Sequence, residues 1–156
     1  MSPYHVRPAT LDDVTTLVAH RLAMFAEMGH QLDVDAVERA FRGWLAEHMP
    51  SGTYRAWLLE VDGGQVVAGG GMTVLPWPPG PRYLGGRVAY VYNVYTEPSW
   101  RHRGLATAIM DTIHGWCRDN GIGIVGLNAS ATGQPVYESM GYRATASPMM
   151  WAAVGP

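Results

Sequence analysis

Three observations predict an α/β domain (α+β in some schemes). Short runs rich in β-branched and aromatic residues alternate with longer stretches whose apolar residues recur at helical spacing. Proline or glycine punctuates most of the joins, at Pro8, Gly29, Pro50 and Gly63-Gly64. Apolar residues make up 47% of the 156 and charged ones 15%, the balance of a chain that buries an ordinary core.

The elements follow in order. "YHVRPAT" reads as a short opening strand closed by Pro8. In "LDDVTTLVAHRLAMFAEM", Leu11, Val14, Leu17, Val18, Leu22 and Phe25 keep helical spacing; Thr10 with Asp13 forms a capping pattern and Gly29 a stop. "DVDAVERAFRGWLAEHM" is a second helix ending before Pro50. "YRAWLLEVD" and "QVVAGGGMTVL" flank a Gly-Gly turn and read as a hairpin. Gly69 to Gly71 in its second arm predict a bulge or a close backbone approach. "PWPPGPRYLGG" is a rigid loop. The strand "VAYVYNVYT", a helix to about Asn120, a short strand "GIVGLNAS", a short helix near "QPVYESM" and one or two closing strands complete the chain.

The length predicts one domain over 1–156. A net charge of −2 gives no global attraction to nucleic acid or anionic lipid. Cys117 has no cysteine partner, and no apolar run suits a signal peptide or a membrane span, so a soluble cytoplasmic protein is expected. The six histidines show no paired ligand spacing, so no metal is expected. Cys117 lies among Ile113 and Trp116 with no histidine placed to activate it, which makes it a core thiol. Met24, Met28, Met110, Met140, Met149 and Met150 read most simply as core filler, the alternative for Met24 and Met28 being a pocket lining.

The segment "EPSWRHRGLATAIMD" carries the first functional signal. It places Arg101, His102, Arg103 and Gly104 between a strand and a helix. The first amides of a helix lack partners and its start is partly positive, so such a turn suits an anion, phosphate above all. Helix-dipole attraction is worth about 0.3–1 kcal/mol per exposed charge. Each charge-assisted hydrogen bond is worth roughly 1.5–3 kcal/mol, so the amides dominate. The lysine and Ser/Thr of a nucleotide P-loop are missing after Gly104, and the glycines at 69–71 lack dinucleotide-binding spacing. The remaining reading on this segment alone is an ordinary basic strand–helix turn.

Arg101-x-x-Gly104-x-Ala106 resembles the pyrophosphate loop of the GNAT superfamily of acyl-CoA-dependent N-acyltransferases, Arg/Gln-x-x-Gly-x-Gly/Ala. "NASATGQPVYESMGYR" is similar to that superfamily's later motif, with Tyr137-Glu138-Ser139-Met140-Gly141-Tyr142 at its close. The order of elements matches over essentially the whole chain. The resemblance implies a mixed, mostly antiparallel sheet splayed between its fourth and fifth strands and flanked by helices. It also implies that pantetheine pairs with the backbone of Val94, Tyr95 and Thr96. Pyrophosphate would then sit on the amides of His102, Arg103, Gly104, Leu105, Ala106 and Thr107, with Arg101 beside it. Asn128 either bonds the pantetheine or caps its strand.

Amide formation from a thioester needs a neutral amine and a proton for the departing thiolate. An amine of pKa near 10.4 is neutral in only about one molecule in several thousand at pH 7. By resemblance Tyr137 is the general acid, the alternative being a packed aromatic. The positions where the family commonly carries a base hold Tyr90 and Gly126. Asn93 is then a candidate to position a water, and Glu27 a candidate base. In "FAEMGHQLDVD", Glu27, His30, Asp33 and Asp35 either steer a cationic amine or form a charged loop in which Asp33 caps the second helix. The loop 76–86 either covers substrate or makes a homodimer contact. The expected activity is direct acetyl transfer from acetyl-CoA to a primary amine of a small molecule or peptide. The alternative is a sensor or interaction domain of the same fold that binds acyl-CoA with little or no turnover.

Overall fold

The computed structural model describes residues 3–155, so the first two and the last residue of the expected 1–156 domain lie outside the described residues. Five strands form one sheet in chain order: β1 (Tyr4–Pro8), β2 (Tyr54–Val61), β3 (Gln65–Pro76), β4 (Arg87–Thr96) and β5 (Val125–Leu127). The first four pair antiparallel and β5 joins β4 in parallel. Helices α1 (Val14–Glu27) and α2 (Val34–His48) intervene between β1 and β2, α3 (Leu105–Asp119) between β4 and β5, and α4 (Gln134–Ser139) follows β5. The mixed sheet expected from the resemblance is therefore present.

The helix ends follow the local chemistry. Thr10 and Asp13 form a capping box ahead of α1, which opens through a short 3-10 turn at Leu11–Asp13. Gly29, at φ 78, ends it. The Asp33 side chain accepts from the Ala36 amide at 3.0 Å and so caps α2.

The core lies on both faces of the sheet. Toward α3, Trp57, Leu59, Val67 and Met72 meet Ile109, Met110, Ile113 and Cys117. Toward α1 and α2, Tyr54, Ala56 and Leu58 meet Leu17, Val18, Phe41 and Leu45. Alternate residues of β2 thus enter different clusters, which is why "AWLL" reads as an unbroken apolar run. Each large side chain so buried contributes about 1.5–3 kcal/mol. Cys117 is a core thiol, 3.7 Å from the Met72 sulfur, and burial raises its pKa.

The expected irregularity occurs at the three glycines, where the β3–β4 register shifts between Gly69 and Gly71, but the extra residue belongs to β4 and not to the glycine strand. Close approach explains all three as well, since a Cβ on Gly69 would lie 2.8 Å from Leu58. A Cβ on Gly71 would overlap the Tyr54 hydroxyl, and one on Gly70 would lie 2.8 Å from Ile109.

Three expectations are corrected. β5 is only Val125–Leu127, shorter than "GIVGLNAS" suggests, because the chain leaves the ladder at Asn128. The closing strands are not formed: after Tyr142 the described residues to 155 are exposed and irregular, with Thr145 bonding locally to the Ser147 carbonyl. Met28, Met149 and Met150 are not core filler but 51%, 68% and 87% exposed, the first at the end of α1 and the others in a segment that packs on neither face of the sheet. No helix among the described residues is long and apolar enough to cross a membrane.

One buried group makes the fold sensitive to acid. His20 on α1 is 4% exposed, 5.0 Å from the Tyr95 ring, and burial lowers its pKa from 6.5 to about 4. Above pH 6.5 both folded and unfolded chains carry it neutral. As pH falls through 6.5 the unfolded chain takes the proton first, so stability declines until about pH 4, where the folded chain takes it too. Chemical denaturation from pH 7 to 4 is expected to show a loss of up to about 3 kcal/mol from this group. The H20L variant should lose correspondingly less over that window, and an equal loss would remove His20 as the cause.

Candidate active site

The bulge in β4 shapes the centre of the site. Gly71 pairs with Tyr92 and Gly69 with Tyr95, so Gly70 alone faces Asn93 and Val94. Asn93 takes the left-handed conformation, φ 59, which asparagine tolerates better than most residues. Tyr92 and Asn93 consequently face the α1–α2 side in succession, whereas Val94 packs on the α3 cluster and Tyr95 returns to His20. The β4–β5 ladder ends at Val91–Leu127, leaving β4 from Tyr92 to Thr96 without a neighbouring strand on that side. This is the splay the sequence resemblance implies, and it leaves Val94, Tyr95 and Thr96 along an open edge.

That edge leads to the start of α3. Gly104, at φ 76, precedes the helix, and a Cβ there would meet no atom within 4 Å. Its requirement for glycine is therefore the left-handed backbone rather than crowding by protein. His102 is also left-handed, φ 60. No backbone N–H from His102 through Thr107 meets an acceptor among the described residues; the first helical bond is Ala108 to the Gly104 carbonyl, 3.1 Å. Arg103, Leu105 and Ala106 thus contribute amides to one unsatisfied run.

The two arginine side chains are engaged elsewhere. Arg101 donates from Nη2 to both carboxylate oxygens of Glu27, at 2.7 and 2.8 Å, and from Nε to the Thr96 carbonyl at 2.9 Å. Arg103 lies over the Trp100 ring, 4.7 Å from its centroid. Glu27 thereby ties the end of α1 to the loop before α3.

Tyr137 on α4 packs against the α3 cluster, 5.8 Å from the Tyr142 ring. Its hydroxyl bonds to no other described residue yet is not sealed from solvent. Burial raises its pKa above the usual phenol value. At the end of β5, Asn128 Oδ1 accepts from the Tyr90 hydroxyl across the two strands. The Tyr90 pKa is also raised, by burial and then by Tyr92.

Beyond the bulge, between α1, α2 and the sheet, lies a cavity of about 400 Å³. Arg21, Phe41, Trp44, Tyr54, Tyr92 and Asn93 form most of its wall. Asn93 is 9% exposed and braced at both ends. Its Oδ1 accepts from Arg21 Nη1 at 2.6 Å and its Nδ2 donates to the Tyr54 hydroxyl at 2.9 Å. Glu27, His30, Asp33 and Asp35 do not line this cavity. Nor does any residue of the loop 76–86, which instead anchors β5 through the Tyr83 hydroxyl, 3.1 Å from the Gly123 amide. Sequence reasoning passed over Arg21 and the aromatic wall. Their only local signal was an arginine on the apolar side of α1, between Val18 and Phe25.

An open strand edge that leads into a run of unpaired amides suits an extended ligand ending in an anion. The chain belongs to the GNAT acetyltransferase family, whose model matches residues 18–142. A GCN5-related N-acetyltransferase from Ralstonia eutropha JMP134 is 35% identical, the match covering 96% of this chain and 98% of that one, with a TM-score of 0.88. A predicted acetyltransferase from Clostridium acetobutylicum, solved with acetyl-CoA, is 25% identical over 96% of both chains, with a TM-score of 0.88. Glucosamine-6-phosphate N-acetyltransferase from Arabidopsis thaliana shares the fold at 15% identity and a TM-score of 0.73, over 97% of this chain and 99% of that one. No curated protein matched the sequence. Enzymes of this family generally transfer an acetyl group from acetyl-CoA.

Proposed function

We propose that this protein is an N-acetyltransferase that moves the acetyl group directly from acetyl-CoA to a primary amine of a small molecule or peptide. The observation that carries the reading is the continuity of the open β4 edge with the unpaired amides of His102 to Thr107. Pantetheine would add to Val94, Tyr95 and Thr96 as an extra strand and accept a hydrogen bond from the Asn128 side chain, and the CoA pyrophosphate would accept from those amides.

In the reaction, the amine nitrogen attacks the thioester carbonyl carbon, the C–S bond breaks and an amide forms. Tyr137 gives its proton to the departing CoA thiolate and recovers one from the nitrogen through solvent, so charge and protons balance. Asn93 holds the wall against which the amine rests. Glu27 serves the loop, because both of its oxygens are held by Arg101.

Calorimetric titration with acetyl-CoA, CoA and ATP, followed by thiol release with a panel of amines, tests this function. Micromolar acetyl-CoA and CoA binding, weak ATP binding and amine-dependent thiol release are expected. Binding without thiol release from any amine would favour the non-catalytic acyl-CoA-binding alternative, and no binding would remove the loop assignment. In E27Q the KM for acetyl-CoA is expected to rise several-fold with kcat nearly unchanged. A fall in kcat of about a hundredfold or more would make Glu27 the base instead.

A further inference from the structure

The cavity beyond the bulge has a chemistry of its own. Four of its walls are aromatic: Phe41 and Trp44 are stacked at 6.0 Å, the Tyr54 ring meets Trp44 edge-on at 5.0 Å, and Tyr92 closes the side toward the β4 edge. Its volume of about 400 Å³ falls in the range of small-molecule pockets. One charge lines it, the guanidinium of Arg21, and no acidic side chain does.

Arg21 is unusual among the arginines near this site. Arg101 is neutralised by Glu27, whereas Arg21 meets no carboxylate among the described residues. Only its Nη1 is engaged, by the neutral Asn93, and its Cζ lies 4.7 and 5.0 Å from the Phe25 and Phe41 centroids. Those rings and Asn93 fix the guanidinium without using most of its five donors. None of its nitrogens is buried without a partner, so the spare donors reach open space. A half-buried cation without a counter-ion is costly to keep, and a planar carboxylate would satisfy it in the two-point geometry arginine favours.

We propose that this cavity is the acceptor subsite and takes an amine whose body is aromatic or bulky and apolar and which carries a carboxylate for Arg21. The acceptor class is thus amino-acid-like rather than polycationic: the wall offers an ammonium group no acid, and it offers an oxyanion a fixed fork. Tyr92 and Asn93 belong both to this wall and to the unpaired stretch of β4, so an amine lodged here adjoins the thioester path. The inference rests on the acetyl-transfer reading for its function but not for its binding chemistry.

The test therefore begins with binding. Calorimetry or ligand-observed NMR, with CoA present, compares 3-phenylpropionate with 3-phenylpropanamide, two probes of nearly equal shape. The carboxylate is expected to bind at least about tenfold more tightly. R21M should abolish that difference, and R21K, which keeps the charge but not the fork, should retain part of it. Turnover should follow the same order, with phenylalanine preferred over phenylalaninamide and phenethylamine. Equal affinity of the two probes for the wild-type protein, binding of neither, or a carboxylate preference that survives R21M would each overturn the proposal. Loss of acetyl-CoA binding in the earlier titration would instead strike the transferase reading, and the probe comparison would still report on Arg21.

Discussion

Replacing Gly104 with valine is expected to weaken acetyl-CoA binding by about ten- to a hundredfold. The backbone there is at φ 76, and a β-branched residue in that conformation is strained by roughly 1–3 kcal/mol. The loop can relieve the strain only by rotating away from the left-handed region, which re-aims the amides on either side. Losing one well-aimed hydrogen bond to a charged phosphate is worth about 1.5–3 kcal/mol, or a factor of ten to a hundred. Gly121, at φ 71 beyond the far end of α3, supplies a control with comparable strain. G104V and G121V should both melt a few degrees lower than the parent protein, whereas only G104V should lose acetyl-CoA affinity in calorimetry. Parallel losses in the two variants would make the effect general destabilisation, and unchanged affinity in G104V would end the phosphate-loop assignment.

The second large effect is expected at Tyr137. Phenylalanine keeps the ring that packs on the α3 cluster and beside Tyr142, and removes only a hydroxyl that bonds to no other described residue. Folding and acetyl-CoA affinity should therefore hold within about twofold, while kcat falls by about a hundredfold or more, the usual contribution of a positioned acid. The pH profile carries a second signature. Burial raises the phenol's pKa, so its acidic form persists past the ordinary value of 10.0 and the alkaline loss of activity is displaced upward. In Y137F that limb should disappear from the residual activity. Full activity across the pH range would reduce Tyr137 to packing.

Much of the fold was legible because its signals are local. Thr10 with Asp13, Asp33, and Gly29 each act on backbone groups within a few residues, and all three lie at the helix ends their chemistry predicts. The glycines at 69–71 announced a departure from regular pairing because missing side chains leave few other reasons to place three together in a strand. The closing strands were misread because a strand needs a partner. The residues after Tyr142 contain apolar side chains but pair with nothing described, so Met149 and Met150 stand in solvent.

The site divides in the same way. The sequence by itself determined the glycine turn and the unpaired amides that open α3, since Gly104 and the first turn of the helix are contiguous and their geometry follows from chain chemistry alone. It also placed Tyr137 on a short helix after the fifth strand. Only the tertiary structure decided how distant residues divide their charge. Arg101 is spent on Glu27, seventy-four positions away, while Arg21 is held by Asn93, seventy-two positions away, and keeps its charge for the cavity. Nothing in the local sequence distinguishes those two arginines. The difference arises because a guanidinium's role depends on which acceptors fold within about 3 Å of it, and those acceptors come from elements that meet only when the sheet is assembled.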